Sequence, residues 1–475
     1  MKGSRLLSSR HRIGALLREH RAIVIVMGLL FLERVLAFCS LGLNFSLGSD
    51  DRDYIISGIY FGNTGTVTMH GQVSAQIMPG MPWFIGLLSI IFGEGRLLLC
   101  VLRLCWALMG TFTALYIYRC VTLYAPKWCG ILAALPLFAP NYAWLDNLIL
   151  TETPYIFCSA AMIYHTLQMA RTKRPKHFWF TTLFYMLTLL LKANAAVYPL
   201  FAAIFLLLRG YGFKRLLKQG LILAGVVLLF IVPWTIRNYK LFHTFVPLTY
   251  GSGNPLLLGT AQGASARKLT DNPDDYSSYV ETNFRERYAK YLNEDGTAKE
   301  PDKNRFLSLL KDKIRAEYRI KEWYDRDPTG LIHAYLVEKP SIMVNKIYYG
   351  KELFGVSADR LTDLRWISYL LAIGSFFLAF ILKKYRAEMV FLAALYVGNL
   401  YIYAFTYAFS RYGQTLVHFW YIMIGLGIYL LCLGLLKGFE AVKAFSRRAD
   451  AAQQQQTTDK AIPAPAAEQP GPDPA

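Results

Sequence analysis

An all-α polytopic membrane fold follows from three features of the chain. Hydrophobic residues supply 54% of the 475 positions and charged residues only 17%, far from the balance of a soluble domain. The apolar residues fall in long blocks, and blocks matching the ~20 helical residues needed to cross a bilayer recur along the chain. Basic residues gather in alternate connections between those blocks, the bias that orients membrane helices.

Roughly ten spans are expected, at 22–43, 97–118, 128–147, 149–169, 177–191, 194–208, 219–236, 366–382, 388–408 and 414–436. Lys2, Arg5, Arg10, Arg12, Arg18 and Arg21 precede the first span, which puts the N-terminus in the cytoplasm. Every second connection after it is basic: Arg119 to Lys127, Arg171 to Lys176, Arg209 to Lys218, Lys383 to Arg386, and the tail from Lys437 through Arg448. Both termini are therefore expected inside. The net charge of +19 sits in these short clusters, which suits anionic lipid headgroups and not nucleic acid. The first apolar block lacks a small-residue cleavage site and reads as a retained signal anchor. Seven cysteines lie in or beside spans without a CxxC pair, so neither a disulfide framework nor a zinc site is indicated, and packing is their expected role.

Five regions follow: a basic N-terminus at 1–21, a transmembrane module at 22–236 with an outward loop at 44–95, an extracytoplasmic region at 237–365, C-terminal spans at 366–436, and a disordered cytoplasmic tail at 437–475. In the outward loop, Ile55 to Phe61 has the spacing of a short interfacial helix, and Met78-Pro79-Gly80-Met81-Pro82-Trp83 starts a second apolar helix that leans on the membrane. The region at 237–365 opens with Gly- and Pro-rich chain from Thr249 to Gly263, and Leu331 to Phe354 suits a helix at the bilayer surface. It is too short for a large catalytic domain with its own core. No internal repeat is visible.

Chemistry concentrates at the outward rim. Ser49-Asp50-Asp51-Arg52-Asp53-Tyr54 places three carboxylates within four residues at the mouth of the first span, where charge is costly to hold near lipid. A carboxylate there, Asp50 first, can take the proton of an attacking hydroxyl; Asp51 and Asp53 would raise its pKa or share a divalent cation with it. The alternative is that the acidic run caps the following helix. Asp146 and Glu152 occupy the next outward turn, suited to a metal or an acceptor, or to capping. Lys192, Arg237 and Arg411-Tyr412 put three cations at the same rim against the positive-inside trend, where they would stabilise a phosphate leaving group or merely reach the interface. Glu33-Arg34 reads as an internal ion pair. His70, beside the first loop, is a candidate ligand, though a lone histidine is usually structural. Walker A, Rossmann and HExxH signatures are absent from the sequence.

Read together, these stretches resemble the GT-C glycosyltransferases, in the bacterial branch related to dolichyl-phosphate-mannose protein mannosyltransferases and the lipid A aminoarabinose transferase. The likeness runs in order through Asp50-Asp51-Arg52-Asp53-Tyr54, Met78-Pro79-Gly80-Met81-Pro82, Leu150-Thr151-Glu152-Thr153-Pro154, Leu191-Lys192-Ala193, Pro233-Trp234-Thr235-Ile236-Arg237-Asn238-Tyr239 and Arg411-Tyr412. It implies a multi-pass enzyme of the bacterial cytoplasmic membrane that moves a hexosyl or pentosyl group from a polyprenyl-phosphate donor to an acceptor hydroxyl on a lipid, glycan or protein. By that resemblance Asp50 is the general base, Asp51 and Glu152 support acceptor or metal, and Lys192, Arg237 and Arg411 bind the donor phosphate, with Asp53, Tyr54, Asp146 and Tyr412 as further site residues. A divalent ion held by Asp50, Glu152 and His70 stays open, and no other cofactor is expected. Two departures stand out. Gly413-Gln414-Thr415-Leu416 replaces the prolines usual after the Arg-Tyr pair, and the proline-rich helix start lacks the lysine of the aminoarabinose branch, which argues against lipid A modification. The rival reading, a transporter or flippase of lipid-linked sugar, would place ionisable residues at mid-membrane, whereas most of these lie at the rim.

Overall fold

The computed structural model describes residues 19–268 and 273–459; the basic residues before Glu19 and the tail beyond Asp459 lie outside it. Among the described residues six helices are long and apolar enough to cross a membrane: α1 (Arg21–Leu41), α4 (Arg96–Thr122), α10 (Phe213–Phe242), α16 (Ala358–Ile381), α17 (Arg386–Phe405) and the stretch Ser410–Ala444. That last stretch joins the short α18 (Ser410–Gln414) to α19 (Val417–Asp459).

The other four expected spans are helical but do not qualify as single apolar rods. Residues 128–147 break into α5 (Lys127–Ala134), a 3-10 turn (Leu135–Phe138) and α6 (Pro140–Leu145), because Pro136 and Pro140 cannot donate to the helical ladder. Next comes α7 (Glu152–Thr172), 21 residues long and studded with Thr153, Ser159, His165 and Thr166. All four are buried, since α7 packs against α4 and α8 (Pro175–Leu191) at the centre of the bundle. Lys192, in extended conformation (φ −146°, ψ 127°), separates α8 from the 3-10 turn Ala193–Val197 that leads into α9 (Tyr198–Leu208).

Two helices expected in the 44–95 loop are present: α2 (Asp50–Thr64) and α3 (Gly80–Phe92), joined by a hairpin of β1 (Thr68–Met69) and β2 (Gln72–Val73). The hairpin turns on His70 (φ 51°) and Gly71 (φ 77°), the paired positive φ of the tight turn that matches strand twist. α2 lies directly on α3, and a Cβ at Gly58 would collide with Ile85. Small residues thus let the two backbones meet, as in membrane helix pairs.

Between α10 and α16 the chain forms α11 (Gly253–Gly259), α12 (Pro273–Tyr288), α13 (Asn304–Arg326), α14 (Pro328–His333) and, after a π turn, α15 (Lys339–Asn345). One apolar cluster joins Phe284, Phe306 and Ile314 of this region to Val67 and Ala75 of the hairpin and to Trp234 and Phe242 of α10. The region is thus roofed onto the 44–95 loop. Two expectations are corrected. The surface helix ends at Asn345, and 346–357 is turns and irregular chain. The C-terminal tail, expected disordered from Lys437, continues α19 to Asp459, since Ala, Arg, Lys and Gln in that stretch are good helix formers.

A buried ion pair fixes α1 to α6. The Arg34 guanidinium bonds Asp146 Oδ2 (3.1 Å), Glu33 Oε2 (2.6 Å) and the Leu137 carbonyl (3.0 Å), while Thr153 donates to Asp146 Oδ1 (2.7 Å). Breaking such a pair strands a buried charge, at about 3–5 kcal/mol. Arg34→Met should therefore lower thermal stability in lipid sharply, and the double variant Arg34→Met with Asp146→Leu should recover part of the loss. A double variant no more stable than Arg34→Met would remove the pinning role.

Candidate functional site

The acidic run divides into three separate environments at the start of α2. All three carboxylates fall in its first turn, where negative charge is favourable next to unpaired helix N–H groups. Asp51 is buried and turns back: its Oδ2 accepts from the Leu47 N–H (2.9 Å) and its Oδ1 from the Ser49 N–H (3.2 Å). Asp51 thus braces the loop that precedes the helix, and no side chain caps the helix start. Arg103 of α4 holds the same linker through the carbonyls of Leu43 and Phe45. Asp53 pairs with His70 Nδ1 at 2.8 Å, binding α2 to the hairpin turn. Tyr54, also buried, lies within electrostatic reach of Asp50, Arg411 and Glu152, and burial raises its phenol pKa above the usual range.

Asp50 alone faces the rim of the bundle. Its Oδ2 accepts from Arg411 Nη2 at 2.7 Å. Arg411 Nε in turn lies 3.3 Å from Glu152 Oε1, and Lys192 Nζ bonds that same oxygen at 2.7 Å. Four charges from α2, α7, the α8–α9 break and α18 therefore form one chain: Asp50, Arg411, Glu152, Lys192. The side chain of Glu152 is 0% exposed and that of Asp50 35%, so the chain runs from the bundle interior to an accessible carboxylate. Two negative and two positive groups cancel.

Aromatic rings wall the cations. Tyr403 and Tyr412 stack at 4.7 Å, and Lys192 Nζ sits 5.0 Å from the centre of the Tyr412 ring, a favourable place for a partly desolvated cation. Tyr348 stands within electrostatic reach of Arg411, Glu152 and Asp51; burial pushes its phenol up to about 12, opposed by Arg411. Beside Lys192, Asn194 donates to Asn399 Oδ1 (2.9 Å) and Tyr155 OH (3.1 Å). The strand of chain leading to Arg411 is held from the roof. Gln262 exchanges two hydrogen bonds with the Ala408 backbone (2.7 and 2.9 Å), and buried Lys339 donates to the Thr406 carbonyl (2.9 Å).

Two expected residues fall elsewhere. Asp146 is committed to Arg34 and Thr153. Arg237 spends its guanidinium on the carbonyls of Ser74 (2.8 Å) and Val67 (3.1 Å) and on Asn238 Oδ1 (2.9 Å), which ties α10 to the hairpin. The trio of Asp50, Glu152 and His70 does not come together, and no group of three His, Cys, Asp or Glu side chains able to hold a metal exists among the described residues. With a cation already on each of Asp50 and Glu152, the arrangement does not fit a divalent ion. Sequence reasoning missed Tyr348, Tyr403, Gln262 and Lys339. No local signal could have found them, because each reaches the site from a different part of the chain.

Comparison with known proteins agrees with this architecture. Residues 76–236 match the family model described as dolichyl-phosphate-mannose-protein mannosyltransferase. Among solved structures, the archaeal oligosaccharyltransferase AglB from Archaeoglobus fulgidus, in complex with an inhibitory peptide and a dolichol-phosphate, matches at a TM-score of 0.50 and 14% identity, covering 89% of this chain and 52% of its own. The chain has the GT-C fold. The apo form of that oligosaccharyltransferase matches at a TM-score of 0.50 and 15% identity, with the same coverage. The chain thus spans about half the length of that oligosaccharyltransferase. ArnT from Cupriavidus metallidurans bound to undecaprenyl phosphate is also similar, at a TM-score of 0.36 and 15% identity over 85% of this chain and 77% of that one. No curated protein sequence matches.

A structural Asp51 has a measurable consequence. Asp51→Ala, which leaves two backbone donors unpaired, should lower stability in lipid by about 1–2 kcal/mol. Unchanged thermal stability in Asp51→Ala would remove the bracing role.

Proposed function

We propose that this chain is a membrane glycosyltransferase that moves a sugar from a polyprenyl-phosphate donor to an acceptor hydroxyl, on the extracytoplasmic face and with inversion at the anomeric carbon. The observation that carries the reading is the Asp50–Arg411–Glu152–Lys192 chain, which sets an accessible carboxylate beside two cations at one rim of the bundle. The match of residues 76–236 to a mannosyltransferase family model and the fold shared with an oligosaccharyltransferase support it.

In this reading the acceptor oxygen attacks the anomeric carbon while Asp50 takes its proton. The bond from that carbon to the phosphate oxygen breaks, and polyprenyl phosphate leaves with the electron pair. The leaving group is already anionic, so cations suffice to stabilise it and no general acid is required. Lys192 and Arg411 supply that charge. Glu152, deep between them, orients both and is not itself the base. Arg237 acts at a distance by holding the hairpin over the site. A single displacement of this kind inverts the anomeric centre. The extracytoplasmic assignment rests on the basic connections and the positive-inside rule. The sugar is a hexose or pentose, and the roofed region at 237–365 is the segment best placed to select the acceptor.

The test uses the full chain in lipid with labelled polyprenyl-phosphate sugars and cell-envelope extract as acceptor, read as release of polyprenyl phosphate. Asp50→Asn should lose at least about 100-fold in turnover while still binding donor, and product NMR should find the opposite anomer. Full activity in Asp50→Asn, or retention of configuration, would refute the mechanism.

A further inference from the structure

Asp50, the group assigned to take the acceptor proton, is not free. Its contact with Arg411 is charge-assisted, and such bonds are about twice as strong as neutral ones. While Arg411 Nη2 occupies Asp50 Oδ2, that oxygen is not open to an acceptor hydroxyl. Arg411 is also one of the two cations that face a donor phosphate in the proposed reaction. Of its planar edges, Nη2 is on Asp50 and Nε is against Glu152.

The geometry points to Arg411 as a donor-operated latch: the phosphate of the incoming donor draws the guanidinium off Asp50, and only then is Asp50 able to accept a proton. This deepens the proposed function and rests on it. The four charges sum to zero before donor arrives, so the site is stable empty. A phosphodiester adds one negative charge, and the two carboxylates and the phosphate then compete for two cations. Glu152 keeps its hold, being fully buried and bonded to Lys192 at 2.7 Å, with no water to replace its partner. Asp50 is the more exposed carboxylate and can be hydrated when released, so it is the one to yield. The move is confined to a side chain. Ala408 and Thr406 are pinned by Gln262 and Lys339, and Gly413 lies so close to the Met343 carbonyl that a Cβ there would collide. The backbone on both sides of Arg411 is thereby fixed while the guanidinium swings.

The latch makes the order of events compulsory. Acceptor hydroxyls present without donor meet a masked base, which protects against proton abstraction to no purpose, and the same phosphate that brings the sugar turns the base on.

The discriminating measurement is affinity, not turnover. Undecaprenyl phosphate without sugar is titrated into the full chain in lipid nanodiscs, for wild type, Asp50→Asn, Arg411→Gln and the double variant. If Arg411 must leave Asp50 to meet phosphate, Asp50→Asn should bind the lipid phosphate about tenfold more tightly than wild type, and this gain should vanish in the Arg411→Gln background. A gain that persists without Arg411 would be simple relief of charge repulsion and would overturn the latch. Equal or weaker binding in folded Asp50→Asn would overturn it too. Failure of wild type to bind undecaprenyl phosphate or any polyprenyl-phosphate sugar would remove the functional reading as well, whereas sugar transfer by wild type with no gain in Asp50→Asn would remove the latch alone.

Discussion

A carboxylate buried without a partner costs several kcal/mol, and the arrangement around Glu152 is organised by that constraint. Its side chain has no exposure, at the first turn of a helix enclosed by the bundle. Lys192 and Arg411 must both reach it, and each has been delivered by an interruption in helical structure. Lys192 sits in extended backbone between α8 and α9. Arg411 starts a five-residue helix set apart from α17 by an irregular strand of chain. A continuous helix would carry neither residue to the required place, so the breaks follow from the electrostatics of one glutamate.

In each of the two polar clusters that hold the bundle, one guanidinium is shared between two carboxylates. At the Arg34 cluster, one guanidinium faces Asp146 and Glu33 and also takes the Leu137 carbonyl. At the rim, two cations face two carboxylates. The difference lies in exposure. The Arg34 cluster is closed, with every partner supplied by the protein, and pins α1 to α6 and α7. The rim cluster ends in a half-exposed aspartate that water and substrate can reach. The same residue types therefore form a closed cluster in one place and an open one in the other, and the proposed reaction uses the open one.

The fold and most of the site were legible because membrane sequences write their topology in one dimension. Apolar run length marked the stretches that form the helices of the bundle, and the missed features are those set by tertiary contact. The break of 128–147 was marked by Pro136 and Pro140, yet run length concealed it. Asp50, Glu152, Lys192 and Arg411 were chosen as charges at one rim, and the structure joins them into a chain. What the sequence could not separate was like from like. Asp50, Asp51 and Asp53 are near neighbours with identical chemistry, and only the curl of the preceding loop sends Asp51 inward to the Leu47 and Ser49 amides while Asp50 faces Arg411. Asp146 and Glu152 were read as one turn with one purpose, but the kink at 146–151 aims them at different cations. Arg237 was grouped with the rim cations by type, though its hydrogen bonds serve the hairpin.

The departure after Arg411 has a physical reason of its own. Where prolines are usual in the resembled family, this chain has Gly413-Gln414. Gly413 approaches the Met343 carbonyl and the Arg365 guanidinium so closely that no Cβ fits, and Arg365 itself caps the end of α15 through the carbonyls of Met343 (2.8 Å) and Lys346 (3.1 Å). A proline at that position would clash, and α15 would have to withdraw. Gln414 is buried beside Asn141, whose amide donates to it at 3.3 Å, linking α18 to α6. The roof thus packs directly onto the short helix that bears Arg411. Rigidity that prolines would supply through the backbone is supplied here by close packing and side-chain bonds, which fix the backbone around Arg411 and leave its side chain as the part able to move.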